Sequence, residues 1–191
     1  VGGAQGRDHH QILFVFGTRP EAIKLAPVID AFRQDFSFRT LVCVTGQHRQ
    51  MLDQVIFSFR LAVDYDLSIM TENQTLSDVT TAVLTGLGDL YRKIKPDLIM
   101  VQGDTTTVMA GALAAFYLKI PVAHVEAGLR SFDFDNPFPE ELNRIIADRI
   151  AALHFAPTSR AKENLLREGF DPKTITVTGN TVVDALQSMV G

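Results

Sequence analysis

The chain has one cysteine, Cys43, no tryptophan, and no apolar run of the roughly 18 residues that a membrane-spanning helix needs. A single cysteine excludes an internal disulfide framework and favours a cytoplasmic protein. The net charge is -4 and no long basic run occurs, which argues against a nucleic-acid partner. With 46% hydrophobic residues, the 191-residue chain can bury the core of one ordinary domain.

Several motifs that would indicate a cofactor or a metal are missing as well. Neither G-x-G-x-x-G nor G-x-x-x-x-G-K-[ST] follows the first apolar run, so dinucleotide and P-loop sites lack support. The chain has no H-E-x-x-H or paired C-x-x-C motif for a metal, and no G-x-S-x-G nucleophile elbow. Metal catalysis and a dinucleotide cofactor therefore have no support from these motifs.

Short apolar runs alternate with helical patterns along most of the chain. Most of these runs lack strict polar and apolar alternation, which suits strands covered by helices on both faces. The pattern predicts a doubly wound, Rossmann-like α/β fold with six parallel strands and right-handed crossovers. The predicted strands are residues 12–16, 40–44, 98–102, 122–125, 153–156 and 175–178.

The helical segments between these strands are predicted from apolar stripes and capping residues. One stripe runs from Ala22 to Phe32, although Pro27 blurs where that helix begins. A later helix is expected to be capped by Thr158 or Ser159. The other predicted helices cover residues 76–95 and 105–118, and the capped one covers residues 159–168.

Both ends of the chain are expected to lie outside the main domain, which we predict over residues 12–178. Residues 1–11 are Gly-rich and polar and lack the apolar segment of a signal peptide. We interpret them as a disordered extension or a cloning remnant. Residues 179–191 form a turn and a piece of helix, which we interpret as the start of a connector to a second domain.

Two predicted strands end in a carboxylate: Asp104 follows residues 98–102, and Glu126 follows residues 122–125. The carboxyl ends of parallel strands are where ligands bind, and paired acids suit proton transfer. Asp104 could instead cap the next helix, a role that Thr105 could also fill. Glu126 has little structural purpose at the end of a buried strand. His124 is expected to be a hydrogen-bonded core residue rather than a base.

A third acid, Glu140, opens a predicted helix after a proline. The acids of its first turn and Arg144, four residues later, fit a purely structural role. The preceding loop, residues 130–138, is rich in aromatic residues, which suggests that Glu140 lies under a lid.

The loop after the first predicted strand combines a glycine with two cations. Gly17 allows a close approach of the backbone, and Arg19 and Lys24 flank a helix start, as in anion sites. Both cations could equally be solvated surface charges. Together with the acids, these residues suit a phosphorylated or nucleotide-bearing substrate and proton chemistry without redox.

Six motifs in the same order resemble those of the bacterial non-hydrolysing UDP-N-acetylglucosamine (UDP-GlcNAc) 2-epimerases. The likeness runs from about residue 12 to the end of the chain. The motifs are FGTRPEAIK at 16–24, TGQHR at 45–49, QGDTTT at 102–107, HVEAGLR at 124–130, PEELNR at 139–144 and TGNTVVD at 178–184.

The resemblance implies the N-terminal half of a two-domain enzyme with a glycosyltransferase-B-like (GT-B-like) arrangement. Such an enzyme interconverts UDP-GlcNAc and UDP-N-acetylmannosamine (UDP-ManNAc) without a cofactor, by eliminating UDP to a 2-acetamidoglucal and adding it back. We expect this half to be inactive alone and the full-length enzyme to be a homodimer. The alternatives are half of a GT-B glycosyltransferase, or a hydrolysing epimerase that releases free N-acetylmannosamine.

The resemblance also implies roles for individual residues. The implied catalytic acids are Asp104, Glu126 and Glu140, of which the sequence does not say which removes the C2 proton. Arg19 and Lys24 match the family's substrate-binding positions. Three glutamines match the positions that bind a second UDP-GlcNAc as an activator in bacterial members, although Asn73 stands where a basic residue is common. These glutamines are Gln47, Gln50 and Gln74.

Overall fold

A single parallel sheet organises the chain in the computed structural model, which describes residues 9–46, 49–69, 71 and 73–190. The strand order is β3-β2-β1-β4-β5-β6-β7, and every neighbouring pair is parallel. The predicted doubly wound α/β fold is therefore confirmed. The strands are β1 (His10–Phe16), β2 (Phe38–Val44), β3 (Tyr65–Asp66), β4 (Leu98–Gln102), β5 (Val122–Val125), β6 (Leu153–Ala156) and β7 (Ile175–Val177).

The strand count differs from the prediction, because the described residues form seven strands rather than six. The additional strand, β3, has two residues and pairs with the end of β2. Strand β1 also begins earlier than predicted, at His10. Gln11 is buried, its backbone N–H donates to Asp97 Oδ2 at 2.7 Å, and its side-chain Nε2 donates to the Ile94 carbonyl at 2.8 Å. The fold therefore includes His10 and Gln11, which the composition of residues 1–11 predicts to lie in the N-terminal extension.

Helices cover both faces of the sheet, as the apolar runs predicted. One face packs against α1 and α2, and the other against α3, α4 and part of α5. Beyond them, α6 packs over the end of the sheet. The helices are α1 (Arg19–Gln34), α2 (Arg49–Ser58), α3 (Leu76–Ile94), α4 (Thr106–Tyr117), α5 (Glu140–Ile150), α6 (Ser159–Arg167) and α7 (Val182–Val190).

The first helix follows its predicted stripe closely. Ala22, Leu25, Ala26 and Ile29 are fully buried, and the helix begins at Arg19 and continues through Pro27. At the other end of the chain, α7 packs against α1 and buries Ala185, so much of the predicted connector is a helix on the domain surface. None of the helices in the described residues is long and apolar enough to cross a membrane.

The order of the strands fixes where a ligand would bind. Strand β1 lies between β2 and β4, so the connections leave it in opposite directions and open a crevice at its carboxyl end. The turns after β1, β4 and β5 all reach this edge of the sheet. The predicted acids Asp104 and Glu126 lie in two of these turns.

The turn after β5 is held tightly against α6 at Gly128. A Cβ atom at Gly128 would lie 2.3 Å from the Ala161 carbonyl oxygen and 2.9 Å from Leu165 Cγ, and the backbone φ is +83°. The Gly128 N–H donates to Asp148 Oδ2 at 3.1 Å, and its carbonyl accepts from Asn164 Nδ2 at 3.0 Å. Only glycine meets both the conformational and the steric requirement at this position.

Replacing Gly128 with alanine should destabilise the fold more than the same change at Gly169. Gly169 has nearly the same φ, +85°, but a Cβ atom there would meet nothing within 4 Å. Gly169→Ala should cost about 1–2 kcal/mol from the left-handed backbone alone. Gly128→Ala should add a further ~1–3 kcal/mol from overpacking. Urea unfolding measures both, and equal losses would show that the turn is not tightly packed.

Candidate active site at the carboxyl edge of the sheet

Asp104 lies in the turn between β4 and α4 and does not cap the helix. The N-cap of α4 is Thr105, whose Oγ1 accepts from the Val108 N–H at 3.3 Å. The alternative of a capping Asp104 is therefore wrong, and its carboxylate stays available to the site. The turn is held from α5, where Asn143 Nδ2 donates to the Asp104 carbonyl at 2.9 Å and Arg144 Nη2 lies 3.4 Å from Asp104 Oδ2.

Glu126 follows β5 in the left-handed conformation, with φ of +71°. Its carboxylate accepts from Lys24 Nζ at 2.6 and 2.8 Å, from Gln102 Nε2 at 2.5 Å and from Asn180 Nδ2 at 3.4 Å. Backbone strain of this kind in a non-glycine residue is found most often at functional sites. The contacts show that Lys24 is not a solvated surface charge, because it forms a partly buried ion pair.

Glu140 is the first residue of α5 and lies close enough to Asp104 to influence its charge. Arg144, the predicted partner of the Glu140 side chain, donates to the Glu140 backbone carbonyl at 3.3 Å and not to its carboxylate. The Arg144 guanidinium forms ion pairs with Glu141 and Asp104 instead. Glu141 is fully buried and accepts from the backbone N–H groups of Ser131 and Phe132, so it anchors the preceding loop.

That loop carries the three exposed phenylalanines Phe132, Phe134 and Phe138. Glu140 is partly buried where the loop joins α5. The structure places the loop beside Glu140, and the predicted role as a lid stays a prediction.

Burial and charge together change the proton affinity of Asp104. Desolvation raises the pKa of its carboxyl group, and the nearby carboxylates of Glu126 and Glu140 raise it further. The Arg144 guanidinium and the His124 ring lower it, but the net shift is upward. A carboxyl group with a raised pKa can hold or release a proton closer to neutral pH, as general acid and base catalysts do.

The structure brings together most of the predicted site, but not all of it. Asp104, Glu126, Glu140 and Lys24 share the edge formed by the turns after β4 and β5 and the starts of α1 and α5. Arg19 lies at the beginning of α1 with an exposed side chain. It therefore remains open as an anion contact or a surface charge.

The three glutamines of the predicted activator site are only partly tested. Gln47 lies outside the described residues, and Gln50 lies in α2 with its side chain outside them. The side chain of Gln74 is engaged within its own loop, where Oε1 accepts from the Thr71 N–H at 2.9 Å and Nε2 donates to the Ile69 carbonyl at 3.0 Å. In this structure Gln74 therefore anchors the loop before α3.

A buried network behind the acids was missed by sequence reasoning. His124 is fully buried, as predicted, and contacts Asp148 of α5, whose other carboxylate oxygen accepts from Arg130 Nη1 at 2.7 Å. Arg130 in turn pairs with Glu168 at 2.6 Å. The sequence offered one signal: Asp148 and Arg144 lie on the face of α5 that carries the buried Ala147.

A second missed residue, Glu21, joins the turns after β1 and β4. Its Oε2 accepts from the backbone N–H groups of Gly17 and Thr18 at 3.0 and 2.7 Å, and its Oε1 accepts from Thr105 Oγ1 at 2.7 Å. Burial raises the pKa of Glu21, although the hydrogen bonds from Thr18, Thr105 and Gly17 oppose this shift. Glu21 thereby holds the residue next to Asp104 against the start of α1.

The fold defines a Rossmann-like α/β domain of the kind that forms half of a GT-B-like enzyme, with a cluster of acids at the carboxyl edge of its sheet. A family model described as UDP-N-acetylglucosamine 2-epimerase matches residues 30–190. The chain belongs to the UDP-N-acetylglucosamine 2-epimerase family.

Named relatives agree with this assignment. The UDP-N-acetylglucosamine 2-epimerases of Bacillus subtilis and Salmonella typhimurium are each 53% identical, over 180 and 176 residues, or 94% and 92% of this chain and 47% of each relative. The crystal structure of UDP-GlcNAc 2-epimerase from Neisseria meningitidis bound to UDP-GlcNAc is 50% identical, with a TM-score of 0.90 over 93% of this chain and 49% of that one. The chain spans about half the length of the curated relatives it matches.

A more distant structure shares the fold alone. The lipopolysaccharide outer core galactosyltransferase WaaB is 13% identical, with a TM-score of 0.61 over 89% of this chain and 45% of that one. The family match, rather than this likeness, decides between the epimerase and the glycosyltransferase alternatives.

Replacing Glu21 with glutamine should reveal the raised pKa through the pH dependence of stability. An acid whose pKa is higher in the folded state than in the unfolded state stabilises the fold fully below its unfolded pKa. That contribution is lost as the pH rises through the folded pKa. Glutamine has the shape and the donor of the protonated acid and does not titrate.

The stability of Glu21→Gln relative to the unmodified chain should therefore increase as the pH rises from about 4.5, by about 1.4 kcal/mol for each unit by which the pKa is raised. Urea unfolding at several pH values measures the difference, and Glu163→Gln, an exposed acid on α6, corrects for the lost charge. A relative stability that falls with pH would mean that the hydrogen bonds outweigh burial at Glu21.

Proposed function

We propose that the protein to which this domain belongs is a non-hydrolysing epimerase that interconverts UDP-GlcNAc and UDP-ManNAc. The observation that carries the proposal is the convergence of Asp104, with its raised pKa, and the ion-paired Glu126 at the switch point of the sheet. Such a pair of acids in different environments suits removal of a proton and its return. The bound ligand of the Neisseria meningitidis relative supports UDP-GlcNAc as the substrate.

In the proposed reaction, a carboxylate removes the proton from C2 of the sugar while the bond from C1 to the UDP oxygen breaks. The products of this step are a 2-acetamidoglucal and UDP. UDP then adds back to C1, and a carboxyl group delivers a proton to C2 from the opposite face, which inverts that centre. No electrons are transferred to a cofactor, and the atoms of substrate and product are the same.

We assign proton transfer at C2 to the group formed by Asp104, Glu126 and Glu140. Lys24 and Arg19 are proposed to contact the anionic part of the substrate, with Lys24 exchanging or sharing its contact with Glu126 when the ligand binds. This chain alone, at half the length of its relatives, is expected not to turn over the substrate. A homodimer and a cytoplasmic location remain part of the proposal.

Loss of any one of the three acids should lower turnover strongly. In the full-length enzyme, Asp104→Asn, Glu126→Gln and Glu140→Gln should each reduce kcat by about 100-fold or more, because each removes an acid or base group. Glu163→Gln, at an exposed acid on α6, is the control for a lost carboxylate and should retain normal turnover. Near-normal turnover in Glu126→Gln with an intact fold would refute the assignment.

The reaction in heavy water should place deuterium at C2 of the sugar in both sugar nucleotides. Inversion requires the original proton to leave and a solvent-derived proton to arrive, so NMR or mass spectrometry of the products should detect the label. Hydrogen retained at C2 with net epimerisation would indicate hydride transfer instead. Release of free N-acetylmannosamine rather than UDP-ManNAc would indicate the hydrolysing alternative.

A second, regulatory site is supported only by the resemblance. If Gln47 and Gln50 contact an activating UDP-GlcNAc, the activator must bind one state of the cleft more tightly than the other. The loop contacts of Gln74 argue that this residue would need to leave Thr71 and Ile69 to join such a site.

A further inference from the structure

His124 lies fully buried in β5 between two acceptor oxygens. Its Nε2 atom is 2.7 Å from the Gly103 carbonyl oxygen, and its Nδ1 atom is 2.6 Å from Asp148 Oδ1. A carbonyl oxygen can only accept a hydrogen bond, so Nε2 must carry a proton.

The partner of Nδ1 is an acceptor too, because the surroundings of Asp148 require an ionised carboxylate. Asp148 Oδ2 accepts from Arg130 Nη1 at 2.7 Å and from the Gly128 N–H at 3.1 Å. Arg130 is a permanent cation with a buried side chain, so its ion pair with Asp148 at 2.7 Å favours the ionised carboxylate whatever the charge on His124. Nδ1 must therefore donate as well, which makes the ring an imidazolium.

We propose that His124 is a cationic positioning residue. It holds the Gly103–Asp104 peptide in place and makes the electrostatic potential at the acidic site less negative. The catalytic part of this inference rests on the proposed function. The geometry supports it because Gly103 directly precedes Asp104, and Glu126 follows His124 by two residues. One ring thus supports the turns that carry two of the three acids.

The charged groups facing the ring agree with a cation. Burial pulls the pKa of His124 down, but Asp148 from α5, the Gly103 carbonyl and Asp104 from the turn after β4 raise it above its usual value. In return, the charge on His124 opposes the desolvation and the carboxylates that raise the pKa of Asp104. Removing the charge should therefore raise the pKa of Asp104 further.

The neighbouring strand supplies a matched control. His154 pairs with His124 across β5 and β6 and is equally inaccessible, at 1% exposure. Its Nε2 atom lies 2.9 Å from the Asp148 carbonyl oxygen, and its Nδ1 atom has no hydrogen-bond partner in the described part of the chain. The geometry thus requires two ring protons at His124 but only one at His154.

Nitrogen NMR of the chain with labelled histidine tests the charge without any need for activity. Near pH 7.5, both ring nitrogens of His124 should show protonated signals, whereas His154 should show one. Asp148→Asn should remove one proton from His124. A single ring proton on His124 in the unmodified chain would overturn the proposal, whether or not the variant folds.

Carbon NMR of the Asp104 carboxyl group then tests the effect on the site. His124→Gln should raise the titration midpoint of Asp104, and His154→Gln should leave it unchanged. An unchanged Asp104 midpoint in a folded His124→Gln chain would overturn the proposal. If His124→Gln does not fold, the Asp148→Asn chain, in which His124 should lose its charge, gives the same readout.

In the full-length enzyme, His124→Gln should lower kcat by up to about 100-fold, the cost of a misplacement of about 1 Å, with a much smaller change in KM. The limb of the pH profile that Asp104 controls should move to higher pH, whereas His154→Gln should not move it. An unmoved limb would leave His124 with only a structural role. Absence of epimerase activity in the unmodified enzyme would refute the proposed function, and the NMR results would still decide the charge of His124.

Discussion

The carboxylate of Asp148 is the point at which the elements around the site are joined. Donors from three places reach it: the His124 ring in β5, the Gly128 N–H in the following turn, and the Arg130 guanidinium in the loop. A carboxylate inside a protein costs free energy unless such donors surround it. The sheet, α5 and the turn that carries Glu126 must therefore keep one relative position, because any shift would leave a buried charge unpaired.

The acids at the carboxyl edge depend on this frame but have different surroundings. Asp104 is partly buried, lies 3.4 Å from Arg144 and has a raised pKa. Glu126 is held by Lys24 in a close ion pair and by Gln102. Two carboxyl groups in one cleft can take opposite parts in proton transfer only if their environments differ, and here the partners supply that difference.

The sequence predicted the backbone of this arrangement better than its charge pairs. The bounds of β4, β5 and β6 follow from runs of apolar residues, which report burial directly. Strand β3 has only two residues and therefore no periodicity to detect.

The pairing of Arg144 with Asp104, and of Arg130 with Asp148, joins residues far apart in the chain, and charged residues on a helix ordinarily indicate a solvent-facing side. Thr105 rather than Asp104 caps α4, and the Thr105 hydroxyl also donates to Glu21, 84 positions away, a contact that no local pattern indicates.

The balance of charge at the site limits what this domain can do alone. Besides the His124 ring behind them, the three acids Asp104, Glu126 and Glu140 lie near the cations Lys24 and Arg144, and both of these already have carboxylate partners. A diphosphate approaching this edge would meet repulsion unless further donors offset the carboxylates. Arg19 is exposed and near enough to the turn after β1 to contribute one such donor. An anionic ligand at this edge would therefore need donors besides Lys24 and Arg144, whose charges are already paired with carboxylates.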